Sequence, residues 1–134
     1  GLTTEVWWSP SHPFTSSLTK QSAKALAESY ETSTRKQWTQ PIGFSHALFE
    51  VASDALKRSK SLKPDDLRDA VASAKLKTVV GDVAGGGPGP FRNVSKTPLV
   101  LGQWNKGKKF KYELTLVNNE AAPTIPVGGK LKPL

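Results

Sequence analysis

Residues 38–58 read WTQPIGFSHALFEVASDALKR, and this stretch says most about how the chain folds. Apolar side chains at Phe44, Ala47, Leu48, Val51, Ala52, Ala55 and Leu56 recur at steps of three and four. On a helix of about 3.6 residues per turn that spacing draws one continuous stripe. Thr39, Pro41 and Gly43 oppose an upstream continuation. The helix is therefore expected to begin at a sharp corner carrying Trp38, Gln40 and His46 near its N-terminal end. Such a corner is a natural meeting place for a ligand, but neither corner nor stripe names one.

Upstream, Leu2–Trp8 (LTTEVWW) is rich in Thr, Val and Trp and stops at Ser9-Pro10, the pattern of a strand entering a loop. Trp7 and Trp8 then point to opposite faces, one into the core and one near the strand end. Ser16 or Ser17 is placed to cap a helix running to Tyr30 or Glu31, with Ala23, Leu26, Ala27 and Tyr30 on one face. His12, between Ser11 and Pro13, is expected on the surface, since no second His or carboxylate stands nearby at metal-ligand spacing.

Downstream, a third helix is expected from Pro64 to Lys75, with Pro in its first turn and Asp65 and Asp66 where the helix dipole favours negative charge. Its buried face would be Leu67, Ala70, Val71 and Ala74. The two acids diverge by about 100° around the axis and make no catalytic pair. Thr78–Val83 reads as a short strand, followed by the glycine- and proline-rich stretch Ala84–Pro90. That stretch is no phosphate loop, because no Gly-Lys-Ser/Thr follows and two prolines remove amide donors. Pro98–Trp104 and Lys109–Val117 flank Asn105–Lys108 as a hairpin, and the prolines and glycines of residues 118–134 predict an extended tail.

A chain of 134 residues fits one domain, and its 37% hydrophobic and 22% charged residues suffice for a core without staples. The absence of Cys excludes disulfides, thiolate zinc sites and cysteine nucleophiles. No apolar run approaches the roughly 18 residues of a membrane span. The chain opens Gly1-Leu2 without Met and passes directly into a strand, as expected of a processed or truncated piece of a longer protein.

Net charge is +8, which favours anionic partners, but the basic residues are dispersed apart from Lys106, Lys108, Lys109 and Lys111. With Trp104, Phe110 and Tyr112 beside them, these lysines support a secondary reading as a basic nucleic-acid-binding module; a solvated turn is the expected explanation. His46 lies off the apolar stripe, so a wet or pocket-facing place is expected for it and not a core one. Since neither histidine has a nucleophile or metal-ligand set around it, no catalytic residue, metal or cofactor is expected, and the chain reads as non-enzymatic.

In order, GLTTEVWWSP, QPIGFSHALFEVASDALKRS, DDLRDAVASAKLKTVVGDV, TPLVLGQW and IPVGGKLKPL resemble the C-terminal part of the periplasmic solute-binding proteins of branched-chain amino-acid-type ABC transporters. Together they span essentially residues 1–134. The resemblance implies an α/β chain, the C-terminal portion of a two-lobed type I periplasmic-binding fold, with three helices, strands and a C-terminal hairpin. It implies elements in both lobes, the first strand and helix in one and the central helix in the other.

The implied function is capture of a small polar solute, an amino acid, amide or related metabolite, and delivery to a membrane permease by cleft closure, in the periplasm. Carried over position by position, the resemblance nominates Trp8, Trp38, Gln40, Pro41 and His46 as cleft lining. His46 departs from the family, which often has an aromatic hydroxyl residue there. The family's main contacts to α-amino and α-carboxylate groups lie upstream, in sequence outside this chain. The expected partners are therefore the N-terminal part of the same protein, the solute and the permease, with element exchange between copies as another route. A ligand-sensing regulatory domain of the same fold is the alternative reading.

Overall fold

The computed structural model describes residues 1–86 and 94–133. In order it contains β1 (Thr3–Val6), α1 (Ala23–Thr34), α2 (Gln40–Arg58), α3 (Pro64–Ala72), β2 (Lys75–Thr78), β3 (Gly81–Ala84), β4 (Val100–Lys106) and β5 (Tyr112–Asn118). This is a mixed α/β chain with three helices and two antiparallel sheets, one ordered β1-β4-β5 and the other a β2-β3 hairpin. Among the described residues no helix is long and apolar enough to cross a membrane. The expected glycine-rich connection lies, from Gly87 to Pro90, outside the described residues.

α2 begins four residues earlier than the stripe suggests. Thr39 is its extended N-cap residue, and Pro41 sits in the first turn, where a missing N–H breaks no helical bond. Gly43 lies inside the helix because the Trp8 indole is packed against it, leaving no room for a Cβ. α1 starts later than expected. Its cap is Ser22, whose Oγ accepts the Ala25 N–H at 3.1 Å. Residues 16–21 instead form a closed turn, with the Ser16 N–H on the Gln21 carbonyl at 2.8 Å.

α3 ends at Ala72, and Lys75 belongs to β2. The expected strand 78–83 is two strand ends joined by a tight turn at Val79-Val80. Gly81, at φ 110°, takes a conformation that β-branched residues avoid, and the Thr78 hydroxyl donates to its carbonyl at 2.7 Å. Val79 and Val80 look like strand residues because they are buried, not because they are extended.

Two apolar clusters organise the chain. Trp8, Ala23, Ala27, Ala47, Val79 and Val80 form one, with Leu26, Trp38, Ile42, Phe44 and Val83 packed against it. Val6, Val100, Leu116, Ala122 and Ile125 form the other. α1 and α2 share a core, while β1 belongs to the sheet it forms with β4 and β5. After β5 the chain turns twice, with the Ala122 N–H on the Asn119 carbonyl at 2.8 Å and the Ile125 N–H on the Ala122 carbonyl at 3.0 Å, and its end is strapped to the sheet. Buried Gln103 donates to the Lys132 carbonyl at 2.7 Å and accepts the Lys132 N–H at 2.9 Å, as a neighbouring strand would.

Candidate functional site

The corner at Trp38 stands against the end of β1. Trp8 is fully buried and donates its indole N–H to the Val79 carbonyl at 3.2 Å. Its ring meets Trp38 edge-on, with centroids 5.9 Å apart, so it braces the corner from behind. Trp7 is half-buried and meets Phe44 edge-on at 5.0 Å. Gln40 ties corner to strand. Its Oε1 accepts the Trp7 N–H at 2.8 Å and its Nε2 donates to the Glu5 carbonyl at 3.2 Å.

Of the five expected site residues, Trp38 alone lines a cleft beside the corner, of about 390 Å³. Its walls are α1 through Lys24, Ala27, Glu28 and Glu31, the β4–β5 turn through Lys109, and the start of β5 through Glu113. Ala27 and Trp38 belong to the first core and Leu114 to the second, so the cleft opens where the two meet. Pro41 is exposed at the start of α2. His46 is half-buried elsewhere, its Nε2 2.8 Å from Ser16 Oγ. That Oγ already accepts the Leu18 and Thr19 N–H groups, both at 3.1 Å, so its O–H donates to His46 and the ring proton sits on Nδ1. A groove of about 730 Å³ along Phe14, Lys77, Asp82 and Lys96 is larger, but none of the five residues lines it.

The cleft is electrically mixed. Glu31, nearly buried, accepts the Trp38 N–H at 3.3 Å through one oxygen and the Lys109 ammonium at 2.5 Å through the other. That hydrogen bond, reinforced by the charges of Glu31, Glu28 and Glu113, raises the Lys109 pKa above its ordinary value. Glu113 accepts the backbone N–H groups of Lys108, Lys109 and Phe110 at 3.1–3.3 Å, which holds its pKa below the usual carboxylate range. Lys24 and Glu28 form a looser surface pair at 3.8 Å. Sequence reasoning placed Lys109 in a solvated cluster and did not single out Glu31. Their contact spans 78 residues, and no local pattern announces it.

His12 corrects an expectation. It is 3% exposed, not on the surface, with Nδ1 2.9 Å from Ser9 Oγ and Nε2 buried without a partner. Desolvation lowers its pKa from 6.5 to about 4, against a smaller opposing contribution from hydrogen bonding to the Ser9 backbone.

Compared with known proteins, the chain matches no family model, and no curated protein matches it.

Proposed function

We propose that this chain is part of a periplasmic receptor that captures a small polar solute, an amino acid, amide or related metabolite, and hands it to an ABC transporter permease by closing around it. The reading rests on the resemblance of residues 1–134 to the C-terminal part of such receptors, in a type I periplasmic-binding fold. The observation that carries it is the cleft at Trp38. Its volume of about 390 Å³ falls within the roughly 300–1,000 Å³ that small-molecule sites occupy. Trp38 and Phe110 line it beside the Glu31–Lys109 pair, and a solute carrying both charges could exchange into that pair, its ammonium group on Glu31 and its carboxylate on Lys109. Because the lining comes from two separate cores, a solute bridging them would favour whichever arrangement brings the walls together.

The reading as a nucleic-acid module is weakened at one residue, since Lys109 already has Glu31 as its partner. The test is a thermal-shift and calorimetric screen of amino acids and their amides, on the chain and on Trp38→Ala. At least one should raise the melting temperature progressively with its concentration, and Trp38→Ala should abolish the rise. If none of the panel shifts the chain, or Trp38→Ala binds as before, the cleft is not the solute site.

A further inference from the structure

α2 is apolar on two opposite sides. One side, with Gly43, Ala47, Glu50 and Ala55, is buried against the rest of the chain. On the other, Leu48 is 71% exposed, Phe49 70% and Leu56 55%, with exposed Ser45 and Ala52 between them. At about 100° per residue these five positions fall within a sector of about 100° and run about 16 Å along the axis. A helix with water on one side is expected to carry polar residues there. This stripe carries no charge at all.

We propose that this face is an interface between two copies of the chain, packed as antiparallel α2 helices about a two-fold axis at Ala52. The spacing is self-complementary: Leu48 and Leu56 lie four residues to either side of Ala52, so a two-fold there sets Leu48 of each copy against Leu56 of the other. The small Ala52 side chain lets the helices approach closely at the axis, and Phe49 flanks the seam. Such a contact is isologous and closes on itself, leaving no apolar edge to recruit a third copy.

The area is adequate. The three large side chains leave roughly 350 Å² in water, within the roughly 300–600 Å² of the largest, often functional, patch on an ordinary monomer. With the flanking stems, a pair of such faces would bury about 1,000 Å², the floor for a specific contact. Charge sets the salt dependence. Two copies at +8 each repel, so added salt should tighten the dimer, whereas it would weaken docking of an acidic partner on the same face.

Sedimentation equilibrium over roughly a hundredfold range of concentration tests the proposal. The mass should rise toward twice that of the chain, more readily at high salt. Leu48→Glu should weaken the dimer at least tenfold with unchanged circular dichroism, while Leu62→Glu, on an equally exposed leucine off the stripe, should not. The chain has no Cys of its own, so Ala52→Cys should oxidise to a covalent dimer and Ser29→Cys, exposed on α1, should not. A single-chain mass throughout, or a dimer indifferent to Leu48→Glu, overturns the two-copy arrangement.

Discussion

The carboxylate of Glu50 accepts the Val79 N–H at 3.0 Å, joining the middle of α2 to the turn between β2 and β3. Its other oxygen accepts both the N–H and the hydroxyl of Ser17, at 2.5 and 2.9 Å. Glu50 is 1% exposed, so one side chain pins three separate segments from inside the protein. Replacing it with Gln turns one acceptor oxygen into a donor facing another donor. The loss of one charge-assisted bond and the orphaning of a buried N–H should together cost about 2–4 kcal/mol. Urea unfolding of Glu50→Gln should show this as a lowered midpoint with an unchanged slope. A loss below about 0.5 kcal/mol would mean the carboxylate is not the strut described.

Gly43→Ala pits helix propensity against packing. Alanine is favoured over glycine inside a helix by about 1 kcal/mol. The new Cβ, however, would enter the space occupied by the Trp8 indole, which is itself fully buried and fixed by its bond to Val79. Overpacking of this kind costs about 1–3 kcal/mol, so the balance should be a net loss and a lower melting temperature. Trp8 fluorescence should shift as the ring is displaced. A more stable Gly43→Ala protein would show that the ring yields without strain.

The same pair explains what was legible in the sequence. Periodicity announced α2 as a helix, but not where it starts, because Pro41 and Gly43 are breakers only where a ladder bond or a Cβ is wanted. Nor did it announce which side is buried. Leu48 and Leu56, expected in the stripe, are exposed, while Glu50 lies inside. Both sides of α2 are apolar, so a periodic signal cannot choose between them. The β4–β5 hairpin was readable because alternation and turn residues are local signals. The candidate site was readable only at Trp38, since Glu31, Lys109 and Glu113 meet through folding across long separations.

Glu113 organises the β4–β5 turn by accepting three consecutive backbone N–H groups, from Lys108, Lys109 and Phe110. Removing the carboxylate with Glu113→Ala should leave these amides to water and free Lys109 from one neighbouring charge. Hydrogen exchange at the three amides should accelerate by at least tenfold, with little change in global stability because the turn is exposed. Acid should act in the same way. The depressed pKa means the turn is held at neutral pH and released only as pH falls below the ordinary carboxylate range. Unchanged protection in Glu113→Ala would assign the order of the turn to its backbone alone.

His12 makes stability depend on pH in a different window. Its folded pKa of about 4 lies below the ordinary 6.5, so between those values the unfolded chain binds a proton that the folded chain refuses. Stability from the neutral ring is complete above pH 6.5 and drains away as pH falls toward 4. The full difference corresponds to roughly 3 kcal/mol. Phe at this position keeps an aromatic ring beside Phe14, whose centroid is 5.9 Å from that of His12, and removes both the titration and the unpartnered Nε2. It also abandons the Ser9 hydroxyl, so His12→Phe need not be more stable at neutral pH. What should change is the slope: the parent chain should lose stability steadily between neutral pH and about pH 5, and His12→Phe should lose distinctly less. Parallel pH profiles for the two proteins would show that the ring becomes protonated in place, and that burial does not hold it neutral.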